Sequence, residues 1–239
     1  MSVPRTIKKQ GQRGMALVLV MLVLVAITSI TLWMVKQSTL SEGMARNQMD
    51  QEAARQAAES ALRDAERDIM APTFATRSKA SCSRGTDKLN PNDFSATCTM
   101  GLCVKDEASY GSTEWANASA SNPAVAEPWW PTSKGGLWND DPDSKPGRSP
   151  VTSNNCQAFT GGVPLGTYTG VAALTGVAQQ PEYLIEIFRR KHVRMNLDEK
   201  SVTSTGENAN QWSYMYRVTA RGFGYSQRTQ VVVQTVYFP

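Results

Sequence analysis

The chain has 239 residues, 41% of them hydrophobic and 19% charged, with a formal net charge of +4. That length holds one ordinary domain beside a membrane helix, and the long polar middle argues against two independent cores. The charge does not describe a nucleic-acid surface: Arg5, Lys8, Lys9 and Arg13 fall in an acid-free opening stretch, and without them 21 basic residues balance 21 acidic ones.

Residues Met15 to Val35 form an uncharged run of 21 rich in Val, Leu, Met and Ile. At about 1.5 Å per residue such a helix spans a hydrocarbon core of roughly 30 Å. The basic residues before it place the N-terminus in the cytoplasm and the rest of the chain outside. The run ends in Trp33-Met34-Val35-Lys36, without the small-x-small site of an ordinary secretory signal.

No proline occurs from Met15 to Ala71, and Gly43 alone interrupts a composition of good helix formers. One helix over 15–71 is therefore expected, with 15–35 in the membrane. Ala54, Ala58, Ala61, Ala65 and Ile69 recur at helical period as a stripe of small residues suited to close packing on a sheet. Asp50, Arg55, Glu59, Arg63 and Glu66 read as the solvated opposite face, with Glu59 and Arg63 at a favourable i,i+4 spacing.

Pro72 ends the helical signal, and residues 72–180 are rich in Ser, Thr, Asn, Gly and Pro without sustained period. Cys82, Cys98, Cys103 and Cys156 all lie here, with Trp115, Trp129, Trp130 and Trp138, so the expectation is an ordered, loop-rich insertion with mobile stretches. The cysteines belong to the exported part, where disulfides persist, and two bridges are expected in any of three connectivities. Intervening stretches of 15, 4 and 52 residues give no C-x-x-C pair, which disfavours zinc.

Residues 181–239 carry strand patterns. Tyr183, Ile185 and Ile187 alternate with Leu184, Glu186 and Phe188; Trp212, Tyr214, Tyr216, Val218 and Ala220 alternate with Ser213, Met215, Arg217, Thr219 and Arg221; Val231, Val233, Thr235 and Tyr237 form a third run. The short Gly222–Ser226 link makes the last two antiparallel neighbours. The fold class is α+β: a long N-terminal helix, transmembrane in its first half, packed on a C-terminal antiparallel β-sheet, with a loop-rich insertion between them.

The leader ending in Arg13-Gly14, followed by Met15-Ala16-Leu17 opening the apolar helix, resembles the class III signal of type IV prepilins. In that family a membrane prepilin peptidase cuts after the glycine and methylates the new N-terminus, which implies a leader of residues 1–14 and cleavage between Gly14 and Met15. Ser38-Thr-Leu-Ser-Glu-Gly-Met-Ala-Arg-Asn47 and Gln56-Ala-Ala-Glu-Ser-Ala-Leu-Arg-Asp-Ala-Glu66 more particularly resemble the N-terminal region of PilX-type minor pilins. The strand Tyr216-Arg-Val-Thr-Ala-Arg-Gly222 fits the same family less specifically. The resemblance implies the type IV pilin fold and a role in pilus biogenesis, adhesion and twitching motility. It implies as partners the other minor pilins, the major pilin, the inner-membrane assembly platform and a large tip-located adhesin. In most pilins the fifth mature residue is a glutamate that neutralises a neighbouring terminal amine; here that position is Leu19. A subunit lacking the carboxylate suits the first position in a filament, since an unpaired charge in an apolar filament core is costly. Tip pseudopilins of type II secretion share this absence and are the nearest rival reading. A bitopic periplasmic sensor or binding module with an uncleaved anchor is the rival from another class.

The remaining constellations point to no catalysis. His192, the only histidine, lies in Arg189-Arg-Lys-His-Val-Arg194, read as an exposed basic edge strand; nucleic acid is disfavoured for want of interleaved aromatics. No His–Ser or His–Cys pair can be proposed. Asn139-Asp-Asp-Pro-Asp-Ser144 offers oxygen ligands around Asp140–Asp143 but lacks the Gly and terminal Glu of a calcium loop, and reads as a solvated turn. Gly222-x-Gly224 has no helix after it and is no phosphate loop. Trp129-Trp130, between two prolines, either presents aromatic surface to a partner or caps the domain's own core. No cofactor is implied.

Overall fold

The computed structural model describes residues 15–70, 82, 84, 89–105, 126–139, 151, 154–191 and 212–238. The expected leader with Gly14, Pro72, Trp115, the Asp140–Asp143 loop and His192 lie outside the described residues. Helix α1 runs unbroken over Met15–Ile69. Its composition of Ala, Leu, Met, Gln, Glu and Arg supplies the propensity, and nothing inside it breaks the hydrogen-bond ladder. The chain divides into two compact units, residues 1–49 and 50–239.

In the second unit the sheet has the order β1-β3-β4-β5, with β2 also paired to β3. The strands are β1 (Leu102–Cys103), β2 (Val163–Pro164), β3 (Glu182–Lys191), β4 (Trp212–Phe223) and β5 (Gln230–Tyr237). The β3–β4 and β4–β5 pairs are antiparallel as expected. The sheet as a whole is mixed, because β1 joins β3 in parallel. Two residues gave no alternation from which β1 could be read; it is set by the Cys98–Cys103 bridge and by Gly101, which turns at φ 75°. The β4–β5 link also differs from expectation: Gly222 and Phe223 remain in the strand, and the turn follows Gly224.

The alanine stripe is buried, with Ala54, Ala58, Ala61 and Ala65 at 0% exposure, and Ala57 joins it. With Tyr183, Ile185, Ile187, Tyr216, Val218 and Ala220 from the sheet, Ala61, Ala65 and Ile69 form the main core. The approach is close enough to dictate Gly222: a Cβ there would collide with the Ala54 carbonyl oxygen and the Ala58 amide nitrogen. Space, not backbone conformation, demands the glycine. Gly222→Ala is expected to destabilise the fold by about 1–3 kcal/mol, because the obstacle is helix backbone that cannot change rotamer. Chemical denaturation of the full chain in detergent measures it; an unchanged midpoint would mean that helix and sheet can separate freely.

The other face of β3 and β4 is buried as well, against the simple alternation of apolar-in and polar-out. Glu182, Glu186, Thr219 and Arg221 are all buried, with Arg221 over the Trp138 ring. The charges are tolerated because they pair: Arg221 donates to Glu182, and Arg217 donates to both Glu186 oxygens at 2.8 and 2.7 Å and to Glu127 at 3.0 Å. Lys105 completes the group at 2.9 Å from Glu127.

Candidate assembly interface

The first half of α1 is an apolar cylinder. Residues 15–49 are exposed all round within their own unit, and the helix is by length and composition apolar enough to cross a membrane. The three hydroxyls of the apolar run, residues 15–35, are satisfied internally. Thr28 and Ser29 donate to the Val25 carbonyl at 2.9 and 2.7 Å, and Thr31 donates to the Thr28 carbonyl at 2.9 Å. In hydrocarbon an unsatisfied hydroxyl is costly, so this back-bonding suits the helix to lipid or to the packed core of a filament. Met15 opens the helix, and Leu19 lies one turn in, 61% exposed. The first carboxylate beyond it is Glu42.

The second half carries polar side chains that fix it on the sheet domain. Asp50 is a correction to the reading of a solvated face. Its carboxylate accepts from the backbone N–H of Tyr225 and Ser226 and from the Thr229 hydroxyl, tying α1 to the β4–β5 turn. Gly224 lets that turn approach, since a Cβ there would strike Asp50 itself. These bonds hold the Asp50 pKa below 3.8, the Thr229 hydroxyl foremost. Glu59 is paired at 3.2 Å with Arg55, where the sequence suggested Arg63; both spacings are i,i+4, and periodicity cannot choose between them.

Asp64 and Asp68 lie in phase with the alanine stripe and are 1% exposed. Asp64 accepts from the Gly166 N–H at 2.7 Å and from the Thr169 hydroxyl, fastening α1 to the turn after β2. Asp68 accepts from Arg84 Nε at 2.9 Å and from the Tyr183 hydroxyl at 2.9 Å. Arg84 also donates to the Met100 carbonyl at 2.7 Å, with its guanidinium 3.8 Å from the centre of the Tyr168 ring. The Tyr168 hydroxyl donates to the Cys156 carbonyl at 2.7 Å. Asp64 and Asp68 have no role in the sequence reading; the signal available was their place on the apolar face, three and seven residues after Ala61.

The four cysteines form two bridges, Cys82–Cys156 and Cys98–Cys103. The first anchors the segment that delivers Arg84 to Asp68. The second pins β1 and packs with Leu184 and Trp138. Trp129 and Trp130 cap the domain's own core: Trp130 is 6% exposed, the two rings meet edge to face at 6.3 Å, and Trp138 Nε1 donates to the Trp129 carbonyl at 2.9 Å.

A membrane-length helix, an alanine-packed second half and a disulfide-bearing α+β domain form a pilin-like arrangement, and two families match the chain. The family described as type IV pilus assembly protein PilX C-term covers residues 80–239, and PilX N-terminal covers residues 13–63. The chain is a PilX-type minor pilin of the type IV pilus. No curated protein and no solved structure matches it. As a PilX-type pilin it is a structural component of the pilus anchored in the membrane by α1.

Burial raises the Asp64 pKa in this PilX-type head above 3.8, against the opposing bonds from Gly166 and Thr169. The folded state then keeps the Asp64 proton to higher pH than the unfolded chain, so stability falls as pH rises from 3.8 through the raised value. Asp64→Asn retains an acceptor without titrating. The variant is expected to show a shallower loss of melting temperature over that window than the wild type, the remainder falling to Glu186, which burial also raises. Parallel slopes in detergent-solubilised full chain would assign the pH dependence elsewhere.

Proposed function

We propose that this PilX-type pilin primes assembly of a type IV pilus and remains at or near its tip, supporting adhesion and twitching motility without catalysis. Before assembly it sits in the bacterial inner membrane, N-terminus cytoplasmic and head periplasmic, matured by a prepilin peptidase that cuts between Gly14 and Met15. After assembly it is part of the surface pilus. Its partners are the other minor pilins, the major pilin, the inner-membrane assembly platform and a large tip-located adhesin. The supporting observation is Leu19: the fifth residue from Met15 is apolar, and the nearest following carboxylate, Glu42, is about 35 Å further along the helix. A subunit so built has nothing with which to neutralise the amine of a subunit laid down before it, so its favoured place is first.

Leu19→Glu supplies the missing partner, and an uncompensated buried charge costs several kcal/mol. The variant is expected to enter the shaft, seen as more copies per filament by quantitative immunoblot or gold labelling. The carboxylate carries an insertion penalty in the bilayer, so membrane abundance is measured alongside. Unchanged copy number and position at equal abundance would assign the placement to the head instead.

A further inference from the structure

The main core brings the end of α1 and one disulfide into a single cluster, in which Ala61, Ala65 and Ile69 pack with Cys82 and Cys156. With α1 docked, those two cysteines are 7% and 5% exposed. Thiol–disulfide exchange passes through a mixed disulfide, so the attacked sulfur has to be within reach of the other protein's thiolate. A protein oxidant cannot seat on sulfurs covered to this extent. The bridge therefore forms while the last turns of α1 are still away from the sheet.

What the bridge then does is set by Arg84. Asp68 enters the core as a carboxylate, and burying one without a counter-charge is strongly unfavourable. Its counter-charge comes from neither α1 nor a strand. Arg84 stands two residues after Cys82, and the head holds its guanidinium through the Met100 carbonyl at 2.7 Å and the Tyr168 ring at 3.8 Å. The bridge seats on the same turn: the Cys82 N–H donates to the Thr167 carbonyl at 3.2 Å, and the Tyr168 hydroxyl donates to the Cys156 carbonyl at 2.7 Å. Tying Cys82 to Cys156 thus places the cation in the head before Asp68 arrives.

We propose that oxidation of Cys82 and Cys156 is the step that admits the end of α1 to the head: an exported protein disulfide acts on the two thiols first, Arg84 is thereby seated, and Asp68 docks last. One thiolate attacks the oxidant's disulfide to give a mixed disulfide, and the other displaces the oxidant from it. The chain gives up two electrons and two protons, and the oxidant leaves as a dithiol. Docking then covers the new bond and closes it to the reverse exchange. The class of the oxidant rests on the head being exported; the order of events does not.

The order is tested on the purified full chain in detergent, with oxidised glutathione as the disulfide and hydrogen exchange read over residues 61–69. The fully reduced chain is expected to exchange there at least about tenfold faster than the oxidised one, while the β4 amides of Val218 and Ala220 keep their protection. Protection of the helix end should return together with the Cys82–Cys156 bond, mapped by thiol trapping. It should not follow Cys98–Cys103, which packs apart with Trp138 and Leu184. Cys82→Ser with Cys156→Ser should hold the helix end in the fast-exchanging state even with Cys98–Cys103 oxidised. Asp68→Leu with Arg84→Met removes the charges through which the bridge acts, so reduction of that variant should alter exchange by less than about twofold. The inference is overturned by a helix end protected in the fully reduced chain or in the Cys82→Ser, Cys156→Ser variant. Loss of β4 protection together with that of the helix end, or an equal effect of reduction in the charge-free variant, also overturns it.

Discussion

Asp68→Ala is expected to cost about 3–5 kcal/mol of folding stability, because it strands the Arg84 guanidinium in a site where the two side chains are 4% and 0% exposed. The Tyr183 hydroxyl loses its acceptor at the same time. The penalty comes from the charge left behind more than from the attraction removed, and this gives the prediction a second arm. Asp68→Leu combined with Arg84→Met removes both charges while keeping volume, and should recover most of the loss. Denaturation of the full chain in detergent gives both values. A double variant as unstable as the single one would mean that the Arg84 bond to the Met100 carbonyl and its stacking on Tyr168, not the ion pair, hold this corner together.

The two disulfides should differ in what their removal costs. Cys82–Cys156 closes a separation of 74 residues and Cys98–Cys103 one of 5. Chain-entropy reasoning gives about 4.5 kcal/mol for the long loop and about 2.2 kcal/mol for the short one. Cys82→Ser with Cys156→Ser is therefore expected to be the more damaging pair, and the position of the long bridge adds to it, since Arg84 follows Cys82 by two residues. Denaturation midpoints of the two double variants decide the order. The reverse order would show that β1, seated by the short bridge, matters more to the sheet than the constraint on the long loop.

The long helix, its alanine face and the three long strands were legible because each repeats a period over many residues. The side of α1 that meets the sheet followed from Ala54, Ala58, Ala61 and Ala65 alone. What periodicity could not carry were contacts between residues distant in sequence. Asp50 looks like any helix-surface acid until the β4–β5 turn, about 175 residues later, is brought against it. Asp64 and Asp68 likewise depend on Gly166, Thr169, Arg84 and Tyr183. The disulfide pairing was open for the same reason, since spacing allows three connectivities. Gly222 and Gly224 were visible as a pair, but their purpose lies in the helix backbone opposite them. At the interface proper, Leu19 was legible only against a resemblance, because nothing in an apolar run marks one leucine as a missing carboxylate.

On its helix side the seam between α1 and the sheet is built largely from side chains without rotatable bonds. Ala54, Ala57, Ala58, Ala61 and Ala65 have no rotamers to lose, and Gly222 has no side chain at all. Docking thus gives up little side-chain freedom on the helix side, and that side has little means of repacking around a change. The outer face, by contrast, rests on Arg217, Lys105, Glu127 and tryptophans that can adjust. Variation among related chains should then be lopsided: exchanges spread through residues 126–138, while a single added methyl on the seam shifts the whole helix.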